Sequence, residues 1–267
     1  MNRKKLKIGL VGKNVANSKS ESIHTFILNA LGADVEYEGV SASAGEFDDV
    51  IRYLLGDFDG FNVTIPYKRD VMEYLDEVVG DALSYGAVNT VCTTGARGYN
   101  TDGKGFLLML DVANVDLVGK RALVLGGGGA GRSSAAALKS AGAIVSVYRR
   151  SIHELQELCE QLGVTAANDP EEGGYDIVIN CTGVGMHDTE GVSPVGEKAF
   201  AGASVAVDLI YRPAESEFLR LAKMKGLKTL NGAAMLFYQA YFADCLFLNK
   251  EPSDAEAKQF YEKYLQM

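Results

Sequence analysis

The chain has 267 residues, 47% of them hydrophobic and 23% charged, which is enough for two domains with separate cores. Its net charge of −9 argues against general nucleic-acid binding, so any anion site must be a local concentration of positive charge. We expect a cytoplasmic protein, because no apolar stretch is long enough to cross a membrane and the basic start Met1–Lys5 leads into a strand-like run rather than a signal-peptide core.

The first third of the chain has the alternating pattern of a βαβ unit. Strand-like runs alternate with helical patterns, with strands at 8–11, 35–40 and 61–65 and helices at 22–31 and 44–55. A hairpin at 89–94 and 96–100 closes this unit, and a helix follows from near Gly103. The chain therefore opens with an α/β domain.

A glycine-rich turn begins the second part of the chain. An apolar strand at 122–125 and a helix at 133–141 flank the residues Gly126, Gly127, Gly128, Gly129, Ala130 and Gly131. Glycines let backbone amides approach a pyrophosphate at a helix N-terminus, where unsatisfied N–H groups and the helix dipole favour negative charge. Glycine clusters also form ordinary loops, but the order strand, turn, helix and second strand favours a dinucleotide site.

The second strand of this unit, at 144–148, is followed by Arg149, Arg150 and Ser151. An acidic residue there would bind the free ribose 2′-hydroxyl of NAD, and none is present at this strand end. Two guanidinium groups and a hydroxyl suit a 2′-phosphate instead, so we predict NADP. The alternative is a solvated arginine pair with Ser151 as the N-cap of a capping box that ends at Glu154, and both interpretations can hold together.

The remaining elements complete an α/β architecture. Strands are predicted at 176–180 and 204–208, and helices at 233–248 and 253–265. We expect these last helices to pack back on the first domain.

Eight motifs in order resemble the shikimate dehydrogenase family over essentially the whole chain. They are Ser18-Lys19-Ser20 for SxS, 62–68 for NVTIPxK, 86–91 for GAVNT, 100–103 for NTDG, Arg150-Ser151 for the end of NRT, 180–186 for NATxxGM, 208–213 for DxxYxP and 232–239 for GLGMLxxQ. The resemblance implies two domains, an N-terminal α/β substrate domain of residues 1–103 plus 238–267 and a Rossmann-type NADP-binding domain of residues 104–237.

The resemblance also implies an activity, the NADPH-dependent reversible reduction of 3-dehydroshikimate to shikimate in the chorismate route to aromatic amino acids. Lys68 matches the catalytic lysine of the family, with Asp102 as its partner. An ammonium held against the reacting oxygen can stabilise developing negative charge and donate its proton. The structural alternative is a solvated Lys68 after a proline turn and an Asp102 that caps the helix near Gly103.

The motifs imply two sets of binding residues. The residues for the substrate are Ser18, Ser20, Thr64, Lys68, Asn89, Asp102, Tyr211 and Gln239. The residues for the cofactor are Gly126, Gly127, Gly128, Gly129, Ala130, Arg149, Arg150, Ser151, Thr182, Leu209, Gly232 and Met235.

We expect no metal, because Cys92, Cys159, Cys181 and Cys245 are far apart and have no histidines at ligand spacing. The three histidines, among them His24, have no triad-like neighbours, so surface or packing roles are expected for them. The expected partner is a small-molecule substrate, without nucleic acid or membrane, in a monomer or homodimer.

Several residues depart from the family pattern, namely Asn14, Asn17, Glu21, Arg149 and Ala234. They leave two alternatives open. One is a paralogue that uses quinate or an aminated analogue, and that could use NAD. The other is a non-catalytic NADP sensor, against which the retention of both Lys68 and Asp102 argues.

Overall fold

The computed structural model describes residues 5–267, so the first four residues of the basic start lie outside the described residues. The chain forms two compact units. Unit 1 comprises Met1–Leu108 and Leu236–Met267, and unit 2 comprises Met109–Met235.

The strands are β1 Lys5–Gly12, β2 Asp34–Ser41, β3 Gly60–Val63, β4 Glu77–Val78, β5 Thr90–Cys92, β6 Arg97–Tyr99, β7 Arg121–Leu125, β8 Ile144–Tyr148, β9 Thr165–Ala166, β10 Ile177–Asn180, β11 Val205–Asp208 and β12 Lys228–Asn231. The α-helices are α1 Ser20–Ala30, α2 Phe47–Asp57, α3 Asp81–Tyr85, α4 Asp102–Val112, α5 Gly129–Ser140, α6 Ile152–Leu162, α7 Glu217–Met224, α8 Ala233–Phe247 and α9 Asp254–Tyr264.

The sheet of unit 1 has the order β2-β1-β3-β5-β6-β4. Strand β1 runs parallel to both β2 and β3, as a βαβ unit requires, and β5 and β6 form the predicted antiparallel hairpin. Strand β3 is buried at every residue, and fully buried Ile51 and Leu54 of α2 belong to the same apolar cluster as its Phe61. Because β3 is held on both sides, the loop that follows it leaves the sheet from a fixed point.

Helix α9 and all of α8 from Leu236 onward belong to unit 1, in agreement with the expectation that the last helices return to the first domain. Helix α8 is apolar around most of its surface, and its Phe237, Tyr238 and Tyr241 are at most 1% exposed. On α9, Tyr261 packs its ring against Phe237 and Tyr238. This aromatic cluster fixes the part of α8 that carries Gln239.

The sheet of unit 2 has the order β9-β8-β7-β10-β11-β12, with neighbouring strands parallel. Numbered from β7, this is the order 3-2-1-4-5-6 of a Rossmann fold. The order reverses between β7 and β10, and ligands of such sheets bind beyond the carboxyl ends of the strands at that switch point. The glycine-rich turn follows β7, and Thr182 lies two residues beyond β10.

Helix α5 begins four residues earlier than predicted, at Gly129. Glycine and alanine at 129–131 have little tendency to mark a helix start, but the first turn makes few intrahelical bonds and tolerates them. Within residues 5–267, no helix has both the length and the apolar character needed to span a membrane.

Candidate active site

Lys68 and Asp102 form an ion pair in unit 1. Lys68 lies in the loop after β3, Asp102 is the first residue of α4, and Lys68 Nζ donates to Asp102 Oδ2 at 2.5 Å. The two side chains are only 13% and 6% exposed, so water screens their attraction little. Neither side chain is a freely solvated surface group, so Lys68 is not the solvated residue of the structural alternative.

Asn89 holds the other oxygen of Asp102. Its Nδ2 donates to Asp102 Oδ1 at 2.9 Å and to Gln239 Oε1 at 3.1 Å. Its Oδ1 accepts from the amide of Thr101 at 2.8 Å and from the hydroxyl of Thr90 at 2.9 Å. Because both ends of the amide have partners that differ in kind, its orientation is fixed and the carboxylate of Asp102 is held at both oxygens.

Two buried asparagines support this arrangement without having been predicted as site residues. Asn62 donates to the carbonyl of Asn89 at 3.2 Å, and Asn100 donates to the carbonyl of Ala87 at 2.8 Å while accepting from the amide of Asp102 at 3.0 Å. The only sequence signal for them was their place inside the NVTIPxK and NTDG motifs. Polar residues at 5% exposure need such partners, so these bonds fix the loops that carry Lys68 and Asp102.

Ser18 and Ser20 meet at the start of α1. The Ser18 hydroxyl lies 3.0 Å from that of Ser20 and accepts from the Ser20 amide at 3.1 Å. Ser20 is 8% exposed, whereas Ser18 is half-buried. The two hydroxyls are therefore adjacent and hydrogen-bonded to each other.

Thr64 follows β3, and its amide donates to the carbonyl of Val11 at 2.8 Å. A Cβ at Gly12 would lie 2.4 Å from Thr64 Cγ2, so glycine is needed there for the close approach. Of the predicted substrate residues, the structure joins Lys68, Asn89, Asp102 and Gln239 by direct contacts. Ser18, Ser20 and Thr64 belong to the same unit, and Tyr211 belongs to unit 2.

The glycine-rich turn of unit 2 has the geometry that its sequence predicts. Gly126 has a φ of +106°, in the range that favours glycine. A Cβ at Gly131 would lie 2.2 Å from the carbonyl oxygen of Gly126, so this third glycine allows α5 to start directly against the end of β7. A Cβ at Gly128, the N-cap of α5, would meet nothing within 4 Å. The open space above the first amides of α5 therefore suits a pyrophosphate.

The Ser151 half of the predicted capping box at the start of α6 is not formed. Ser151 occupies the N-cap position but, among residues 5–267, its side chain makes no cap hydrogen bond. The carboxylate of Glu154 accepts from Arg149 Nη2 at 2.6 Å. Arg150 and Ser151 are exposed.

The loops after β10 and β11 are tied together by a buried polar network. Asn180 Oδ1 accepts from both the amide and the hydroxyl of Thr182, at 3.0 and 2.7 Å, and Asn180 Nδ2 donates to Asp208 Oδ1 at 3.0 Å. The hydroxyl of Ser216 donates to Asp208 Oδ2 at 2.5 Å. Burial raises the pKa of Asp208, and these hydrogen bonds oppose that rise.

Gly232 and Leu209 are in close contact in unit 2, since a Cβ on Gly232 would lie 2.0 Å from the Leu209 carbonyl oxygen. Met235, at the end of the unit, is 7% exposed. All the residues predicted to bind the cofactor lie in unit 2.

Comparison with known proteins identifies the relationship. A sequence profile for the shikimate dehydrogenase substrate binding domain matches residues 10–91. The shikimate dehydrogenase (NADP(+)) of Carboxydothermus hydrogenoformans is 38% identical over 250 residues, which cover 88% of this chain and 89% of that protein. The chain belongs to the shikimate dehydrogenase family.

Solved structures of the family have the same fold. The crystal structure of shikimate 5-dehydrogenase from Thermus thermophilus in complex with NADP(H) and shikimate has a TM-score of 0.87 and 35% identity, covering 97% of this chain and 99% of that one. Shikimate dehydrogenase 1 from Peptoclostridium difficile has a TM-score of 0.89 and 30% identity, covering 97% of each chain. Shikimate dehydrogenases are oxidoreductases that act on a CH–OH group, and this classification extends to the chain.

Burial also affects the cysteine thiols. Burial raises the pKa of Cys92 to about 11 and that of Cys181 to about 12, so both remain protonated thiols at neutral pH. Within the described part of the chain, no group of three or more His, Cys, Asp or Glu residues is placed to hold a metal ion.

Proposed function

We propose that this protein catalyses the NADP-dependent interconversion of shikimate and 3-dehydroshikimate, in the chorismate route to aromatic amino acids. The observation that carries the proposal is the ion pair of Lys68 and Asp102, with Asn89 holding the second carboxylate oxygen. We assign the substrate to residues 1–103 plus 238–267 and the cofactor to residues 104–237.

Lys68 is the proposed proton donor and acceptor. NADPH, when bound, supplies the hydride for the ketone carbon. As negative charge develops on the ketone oxygen, the Lys68 ammonium stabilises that oxygen and transfers a proton to it from Nζ. In the reverse direction, neutral Lys68 takes the proton of the shikimate hydroxyl. Asp102 orients Nζ through Oδ2.

Substrate recognition is polar because the carboxylate and hydroxyls of shikimate lose water on binding and each needs a partner. We assign the carboxylate to the hydroxyls of Ser18 and Ser20. The remaining donors and acceptors are Thr64, Asn89, Asp102, Tyr211 and Gln239.

Cofactor recognition rests on the two ends of the first βαβ segment of unit 2. The turn from Gly126 to Ala130 fits the pyrophosphate, because glycine geometry leaves the start of α5 open. Arg149, Arg150 and Ser151 suit the 2′-phosphate by charge and by hydrogen-bond donors. Thr182, Leu209, Gly232 and Met235 complete the proposed cofactor contacts.

The alternatives are not favoured. The relatives from Carboxydothermus hydrogenoformans and Thermus thermophilus, each 38% identical to this chain, are named for shikimate and NADP(+). A non-catalytic sensor would not need a largely buried Lys68–Asp102 pair. We further propose a cytoplasmic enzyme that acts as a monomer or homodimer, which light scattering would distinguish.

The test is the initial rate of dinucleotide reduction with shikimate or quinate and with NADP or NAD. We expect strong turnover only with shikimate and NADP. We expect Lys68→Ala to lower kcat by about 10²–10⁴-fold, the usual contribution of a positioned acid or base, while the dissociation constant of NADP stays unchanged. Unchanged turnover of this variant would remove Lys68 from the mechanism, and preference for quinate would move the substrate assignment to the paralogue.

A further inference from the structure

Tyr37 on β2 has a buried hydroxyl, and its ring packs against the face of α1 that carries Ser20 and His24, which are one helical turn apart and both buried. Among residues 5–267, this hydroxyl completes no hydrogen bond of normal geometry. Burial and the negative charge of Asp244 raise the pKa of Tyr37, and the neighbouring Ser20 opposes that rise. The phenol therefore stays protonated at neutral pH and can act only as a neutral donor or acceptor.

The ring of Tyr37 is fixed from behind by a buried pair. His24 of α1 stacks on it with 5.3 Å between ring centroids and 19° between ring planes. His24 Nδ1 lies 2.6 Å from Asp244 Oδ1 on α8, and the two side chains are 1% and 0% exposed. His24 is thus a packing residue rather than a surface residue, and it limits where the Tyr37 hydroxyl can move.

The direction in which the Ser20 proton points decides whether Ser20 can bind a carboxylate. A serine hydroxyl has one proton to donate and two lone pairs that accept. To bind a carboxylate, which only accepts, Ser20 must point its proton toward the ligand. In the structure Ser18 Oγ donates to Ser20 Oγ at 3.0 Å, and Ser20 loses this donor when Ser18 turns its own proton to the carboxylate. A second donor behind Ser20 then favours the required orientation, because it occupies a lone pair of the serine oxygen and leaves the serine proton free for the ligand.

We infer that Tyr37 is a positioning residue for the substrate carboxylate, whose hydroxyl donates to Ser20 Oγ when substrate binds and turns the Ser20 proton toward the carboxylate. This inference rests on the proposed function, specifically on the assignment of the carboxylate to Ser18 and Ser20. Tyr37 touches neither the reacting carbon nor the cofactor in this arrangement. Its effect belongs to substrate affinity and not to the chemical step.

The experiment compares Tyr37→Phe, Ser20→Ala and the double variant by steady-state kinetics. Loss of a neutral hydrogen bond predicts a shikimate KM about three- to tenfold higher for Tyr37→Phe, with kcat and the NADP dissociation constant unchanged. Ser20→Ala should raise KM at least as much. In that background Tyr37→Phe should add nothing, since the two residues act through one hydrogen bond.

Tyr241→Phe is the matched control. Tyr241 is also a buried tyrosine of unit 1, but its hydroxyl donates to Glu256 on α9. Its removal should leave the KM for shikimate unchanged. Melting temperatures of all variants check folding.

The outcomes separate the inference from the function on which it rests. If Ser20→Ala leaves KM unchanged, the proposed carboxylate site is wrong. If Ser20→Ala raises KM but Tyr37→Phe does not, or if their effects multiply, the inference is overturned and the proposed site stands.

A second substrate keeps the test valid if Tyr37→Phe is less stable. The carboxamide of shikimate is neutral and accepts a weaker hydrogen bond from Ser20. If Tyr37→Phe is only partly unfolded, the ratio of its KM for shikimate to its KM for the carboxamide stays as in the wild type. If Tyr37 positions Ser20, the KM for shikimate rises more than the KM for the carboxamide. An unchanged ratio would refute the positioning role.

Discussion

Glu154 competes with the proposed 2′-phosphate for Arg149, so Glu154→Gln should strengthen NADP binding. The carboxylate accepts from Arg149 Nη2 at 2.6 Å, with side chains 53% and 25% exposed. At this exposure the pair itself contributes only about 0–1 kcal/mol to stability, so the variant should fold with a similar melting temperature. Glutamine retains the size and an acceptor oxygen while removing the charge.

The size of the effect follows from the geometry. A phosphate bound to the other edge of the Arg149 guanidinium would lie about 6 Å from the Glu154 carboxylate. This distance is about the length of two charge-assisted hydrogen bonds, one on each side of the guanidinium, plus the width of the guanidinium itself. A phosphate of charge about −2 repels a unit charge at that distance by about 1.4 kcal/mol in water. Screening at physiological ionic strength reduces this to about 0.7 kcal/mol, which corresponds to a roughly threefold lower dissociation constant for NADP.

Isothermal titration of NADP and NAD against both proteins measures this difference. We expect the NADP constant to fall roughly threefold, the NAD constant to stay unchanged, and the NADP effect to fade near 1 M salt, where the Debye length is about 3 Å. Glu157→Gln is the control, because Glu157 lies on the same helix but pairs with His153 at 3.6 Å. Equal gains for NAD, a weaker NADP complex, or the same gain from Glu157→Gln would refute this account of Arg149.

Three further changes test the cofactor turn, the phosphate site and a buried charge. Arg150→Ala should weaken NADP about 10- to 100-fold, the value of one charge-assisted contact, and leave NAD nearly unchanged in the same titrations; equal weakening would argue against a phosphate at Arg150. Gly131→Ala should abolish measurable NADP binding and lower the melting temperature, because its Cβ would lie 2.2 Å from the Gly126 carbonyl oxygen; a normal dissociation constant would mean that the turn relaxes easily. Burial raises the pKa of Asp244 to about 6, above the value near 4 of an unfolded chain, so its ionisation penalty is absent below about pH 4 and complete above about pH 6. The melting temperature of Asp244→Asn relative to the wild type should therefore be higher at pH 7.5 than at pH 4, whereas the loss of the His24 contact lowers it at both; an equal difference at the two pH values would contradict the assignment.

The elements that the sequence predicted well are those with strong local signals. The apolar runs of β1 and β7 and the glycines at 126–131 identify their own structures, because periodicity and glycine conformation act over a few residues. Strands β9 and β12 lacked such signals. They are short and largely unburied, and their pairing depends on a neighbouring strand rather than on their own composition.

In the candidate site too, the sequence predicted residues with distinctive motifs but not the contacts that depend on the fold. Lys68 and Asp102 could be predicted because their motifs are distinctive, but their 2.5 Å contact joins residues far apart in the chain. The sequence predicted a capping box for Ser151 and Glu154, but it did not predict the hydrogen bond between Arg149 and Glu154, which joins the end of β8 to the first turn of α6. The burial of His24 against Asp244 could not be predicted from the sequence, because it depends on where α8 packs.

Unit 1 is interrupted in the chain, with unit 2 inserted between Leu108 and Leu236. During synthesis from the N-terminus, the sheet of unit 1 leaves the ribosome long before the aromatic residues of α8 and α9 that pack within that unit. Unit 2, being continuous, has all its strands available first. We expect nascent chains that end before α8 to expose apolar surface of α1 and to need protection from aggregation, whereas their parallel sheet in unit 2 can already fold.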